Sequence, residues 1–81
     1  MENKIFKLGL SVEAVSLYLI LYDLEFSRIP LEKKNIIPRW NAPEEHLDQA
    51  LEELKMHKVI DQRGGEFIVN PEGQWVESRS S

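Results

Sequence analysis

The sequence predicts an α+β fold in which a small helical core leads into a two- or three-stranded antiparallel hairpin unit. Three observations point to it. Leu47, Ala50, Leu51 and Leu54 recur at helical spacing behind Asn41, a residue able to cap, and Glu44 follows Asn41 by three positions. Two strand-like runs, Val59–Gln62 and Glu66–Val69, then flank the turn Arg63-Gly64-Gly65. Upstream, Ser11 opens a helix-length segment that is apolar on two sides.

At 81 residues the chain has room for one domain and one small core, read here as residues 1–76, with a polar tail at 77–81. A chain this short buries only about 60–65% of its unfolded surface, so association with a second copy is a useful supplement. Without cysteine there is no disulfide framework and no thiol metal site. Met1-Glu2-Asn3-Lys4 is not followed by the apolar run of a signal peptide, and Leu17–Tyr22 is too short to span a bilayer. A cytoplasmic protein without membrane contact is therefore expected. The formal charge of -4 provides no whole-protein attraction to nucleic acid or anionic lipid.

The first helix is predicted from Val12 to about Phe26. At about 100° per residue, Val12, Val15, Tyr18, Leu19, Tyr22 and Phe26 share one side, while Ala14, Leu17, Ile20, Leu21 and Leu24 share the other. A helix apolar on two sides must be covered on two sides. The N-terminal Ile5, Phe6, Leu8 and Leu10 or the distal Trp75-Val76 can supply one cover within a monomer. The small size of the chain favours a homodimer instead, with Leu17, Ile20, Leu21 and Leu24 as the inter-chain face. Arg28–Leu31 reads as a short edge strand, with Pro30 tolerated at a strand end. A short second helix starts near Glu32, is anchored by Ile36 and Ile37, and stops before Pro38. The third helix spans about Pro43–His57, and its outward face is Glu45, Gln49, Glu52 and Met56, flanked by Asp48 and Glu53.

Several short motifs resemble one family. Leu8-Gly9-Leu10-Ser11, with Glu13-Ala14 and Tyr18-Leu19 behind it, resembles the opening of TrmB-type winged-helix regulators. Ala50–Lys55 leading to Val59-Ile60 is similar to the helix-to-wing junction of many winged-helix families, and Val69–Gly73 to the turn that leaves the wing in MarR- and PadR-like proteins. The resemblance implies a winged-helix fold and a homodimeric, DNA-binding transcriptional regulator. On that reading the phosphate and groove contacts fall to Lys33, Lys34, Arg39, Gln49, Lys55 and Arg63. Arg63 beside two glycines is placed to reach a minor groove, or simply to keep a hairpin tip in water. The third helix is acidic outside, whereas DNA affinity rests largely on Lys and Arg. The alternative is a winged-helix protein–protein interaction module that does not bind DNA and uses Trp40 and Met56. Trp40 reads first as a plug over the edge between the second and third helices, and beside Arg39 it also suits an interface anchor.

Catalysis finds no footing in the sequence. It has no Gly-rich phosphate loop, no recognisable nucleophile–base spacing and no His-Glu metal pair. His57 lies four residues after Glu53, the spacing of a helix-end charge contact. No enzyme activity, cofactor or metal is expected.

Overall fold

The computed structural model describes residues 5 and 8–76. It comprises α1 (Val12–Phe26), α2 (Lys33–Ile36) running into a 3-10 turn (Ile37–Arg39), α3 (Glu44–Met56), β1 (Ile60–Arg63), β2 (Glu66–Val69) and a second 3-10 turn (Glu72–Gln74). The strands form one antiparallel sheet in which Ile60 pairs with Val69 and Arg63 with Glu66. Three helices with a two-stranded hairpin are compatible with a winged helix. The predicted flexible tail at 77–81 lies outside the described residues. Among the described residues no helix is long and apolar enough to cross a membrane.

Ser11 caps α1, its hydroxyl oxygen accepting from the Ala14 amide at 3.1 Å. Both α1 and α3 end in the same way. The Arg28 amide donates to the Glu25 carbonyl and the Ile29 amide to the Leu24 carbonyl. The Lys58 amide likewise donates to the Lys55 carbonyl and the Val59 amide to the Leu54 carbonyl. These are Schellman closures, which require a left-handed residue after the last turn. Arg28 (φ 63°) and Lys58 (φ 62°) fill that position where glycine is usual. Lys58→Gly is therefore expected to raise the unfolding free energy by about 0.5–1 kcal/mol, seen as a higher urea midpoint at unchanged slope.

The core lies between α1 and α3, which pack together, and is closed by the hairpin. Ala14, Leu17, Leu21 and Leu24 of α1 meet Leu47, Ala50, Leu51 and Leu54 of α3 in one buried cluster with Ile5, Leu8, Leu31, Ile36, Val59, Ile60, Phe67 and Trp75. Trp75 returns to α1 as the sequence suggests. Its ring meets Tyr18 edge-on at 5.5 Å between centroids, and its Nε1 donates to the Asn70 carbonyl at 2.9 Å.

Five local expectations need correction. Leu17, Leu21 and Leu24 have no exposed surface, and Ile20 is half-buried against the core, so the face assigned to an inter-chain contact is the monomer's own interior. Asn41 does not cap α3: Pro43 occupies the cap position, its carbonyl accepting from His46 and Leu47, and no side chain caps the helix. Ile37 is 45% exposed while Ile36 is buried, because consecutive residues of a helical turn cannot share one face. Arg28–Leu31 is no strand. Left-handed Arg28 closes α1 and Pro30 has no amide to give, leaving one bridge between Glu32 and Glu66 and a bond from the Phe67 amide to the Leu31 carbonyl. The hairpin turn is Gly64-Gly65 alone, with Arg63 paired in β1. Only the first glycine takes a positive φ (63°), the sign pattern of a type II′ turn.

Candidate interaction surfaces

Of the five cations expected to meet phosphate, four are held by carboxylates. Lys33 Nζ lies 2.9 Å from Glu44 and 2.7 Å from Asp48, bridging α2 to the first turns of α3. The Asp48 and Glu44 hydrogen bonds, in that order, hold the Lys33 ammonium above its ordinary pKa. Lys34 pairs with Glu32 at 3.4 Å, Arg39 with Asp23 of α1, and Lys55 with Glu52 at 2.8 Å. Lys55 also donates to Gln62 at 3.2 Å. Each pair spans the surface and is worth little in stability. Its electrostatic consequence is larger, because a neutralised cation no longer presents a full charge to a polyanion. Of the expected contacts only Gln49, in mid-α3, and Arg63, beside the hairpin turn, have no polar partner for their side chains among the described residues.

The outward side of α3 keeps its expected composition. Glu45, Asp48, Gln49 and Glu52 are exposed, and Met56 is 76% exposed at the end of the row. Asp48, Gln49, Glu52, Glu53, Met56 and His57 line a shallow groove there. Trp40 is half-buried against the core with its Nε1 donating to the Pro43 carbonyl at 3.1 Å. With Ile20 and Arg39 it lines a second groove along α1.

Two contacts that sequence reasoning missed fix α1 against α3. The Glu53 carboxylate accepts from the Ser11 amide at 2.8 Å and from the Ser11 hydroxyl at 2.7 Å, so a side chain of α3 clamps the cap of α1. Glu13 of α1 accepts from His46 Nδ1 at 2.7 Å. His57, expected to meet Glu53, is buried instead. Its Nδ1 donates to the Val76 carbonyl and its own carbonyl accepts from the Val76 amide, both at 2.6 Å. The contacts join residues 33 to 42 positions apart for the α1–α3 clamps, a separation at which spacing carries no signal.

The outer side of α1 carries an exposed apolar row. Val12 is 82% and Phe26 81% exposed, and Tyr22 and Leu19 are also open to solvent. Tyr22 stacks on Tyr18 with ring centroids 6.2 Å apart, and Tyr18 rests on Trp75, so the aromatic row is anchored in the core. Burial, then the neighbouring Tyr22 and Glu25, push the Tyr18 phenol above its ordinary pKa. Among the described residues no group of His, Asp and Glu is arranged to hold a metal ion. Comparison with protein families, with curated proteins and with solved structures returns no match.

Proposed function

We propose that this protein is a small winged-helix interaction module that works as a homodimer and binds protein rather than duplex DNA. One observation carries the reading: Lys33, Lys34, Arg39 and Lys55 are each paired to a carboxylate, while α1 exposes an apolar row. Counterion release on DNA scales with the phosphates that cations neutralise. A surface on which four of the five cations expected to meet phosphate already have carboxylate partners, on a chain of net charge -4, releases few. The acidic row of α3, in the position of a recognition helix, adds repulsion.

A second reading is a DNA-binding transcriptional regulator, favoured by Arg63 and Gln49, which stand open at the hairpin tip and on the outer helix. Anisotropy titration of a labelled duplex at low salt separates the two. No binding is expected for the wild type at micromolar protein. Glu45→Lys with Glu52→Lys is expected to create weak, salt-sensitive binding. Micromolar wild-type binding that weakens in Arg63→Ala would establish the DNA reading and exclude the first.

A further inference from the structure

We infer that the outer row of α1 is a helix-pairing seam whose occupant is the α1 of a second copy, running antiparallel. The inference rests on the homodimer reading above and replaces the inter-chain face that the sequence suggested. Val12, Val15, Leu19, Tyr22 and Phe26 are spaced three, four, three and four residues apart, the repeat that keeps one stripe of a helix against another helix. The stripe lies opposite Ala14, Leu17, Leu21 and Leu24, which the core already occupies. It runs the full length of α1, from its first residue to its last.

Size and charge select the occupant. Val12, Leu19, Tyr22 and Phe26 together offer on the order of 500 Å² of side-chain surface per copy. With Val15 and Ser16 beside them this approaches the roughly 600 Å² per partner at the lower end of specific interfaces. The row has no basic residue, so it does not suit an acidic ligand. Its flanks are Ser16, Tyr18, Asp23 and Glu25, and Asp23 is neutralised by Arg39. A parallel pair would gather Asp23 and Glu25 of both copies at one end and align two helix dipoles. An antiparallel pair separates the Asp23 and Glu25 turns of the two copies to opposite ends and opposes the two helix dipoles. Leu19 then lies near the two-fold axis, and Phe26 approaches the Val12 end of the second copy. The Tyr22–Tyr18–Trp75 row holds the seam's central aromatic in place before association.

Sedimentation and cross-linking test the seam. Because the chain has no cysteine, each introduced thiol is the sole one. Wild type is expected to be a dimer at micromolar concentration, and Phe26→Glu, a change at an exposed position, to weaken it about a hundredfold or more with an unchanged circular dichroism spectrum. With a short bis-maleimide, Leu19→Cys should link to its own copy. Val12→Cys alone should not, since antiparallel copies hold it about 20 Å apart along the helix axis, whereas a mixture of Val12→Cys and Phe26→Cys should form the mixed product. A monomeric wild type would overturn the seam and the homodimer reading together. A wild-type dimer untouched by Phe26→Glu would overturn the seam alone. Self-linking of Val12→Cys would overturn the antiparallel arrangement.

Discussion

Replacing Leu21 with glutamate is expected to unfold the domain rather than to split a dimer. Leu21 sits in the centre of α1 with no exposed surface, against the buried face of α3. A carboxylate there must be buried without a partner or held neutral, at a cost of several kcal/mol. A domain of this size has about 4–12 kcal/mol of stability in total. Leu21→Ala, which only opens a cavity, should cost about 2–5 kcal/mol and leave a folded protein with a lower urea midpoint. Circular dichroism of the two variants checks this. A Leu21→Glu protein that stays helical would mean that the Leu17–Leu21–Leu24 face is not the interior.

The second large effect is expected at Trp75. It closes the core from the far end of the chain, stacking edge-on against Tyr18 and bonding to the Asn70 carbonyl. Trp75→Ala should cost about 3–5 kcal/mol, with Trp75→Phe in between because the ring contact survives and the hydrogen bond does not. The same variant should be visible in the titration of Tyr18. Burial holds that phenol neutral above its ordinary 10.0, so the raised value makes the fold lose stability as pH climbs past about 10. Uncovering Tyr18 in Trp75→Ala should bring its titration, followed by tyrosinate absorbance, down toward the ordinary value. An unmoved titration would mean that Trp75 does not bury Tyr18.

The order of elements was legible because each depends on local rules. The Ser11 cap, the one-sided stripe of α3 and the glycines of the turn all act within a few residues. Pro38 is no such stop: Ile37 before it keeps helical geometry (φ -53°, ψ -44°), and Pro38 sits within the 3-10 turn that continues α2. The two sides of α1 were also legible, but not which one faces inward. Ala14, Leu17, Leu21 and Leu24 repeat at the same three-four spacing as Val12, Val15, Leu19, Tyr22 and Phe26, so periodicity fits either orientation. Only the packing of α3 decides. The cations misled for a related reason. Lys33 and Arg39 read as open charges in the chain, and it is the fold that brings Asp48 to one and Asp23 to the other. Arg28 and Lys58 in left-handed positions defeat the usual search for a terminating glycine.

Sedimentation of the wild-type protein at micromolar concentration in low salt, with and without an excess of short duplex DNA, tests the proposal of a protein-binding homodimer most directly. The expected result is a dimer whose boundary does not move when DNA is added. A monomer, or a boundary that shifts into co-migration with the DNA, would contradict it.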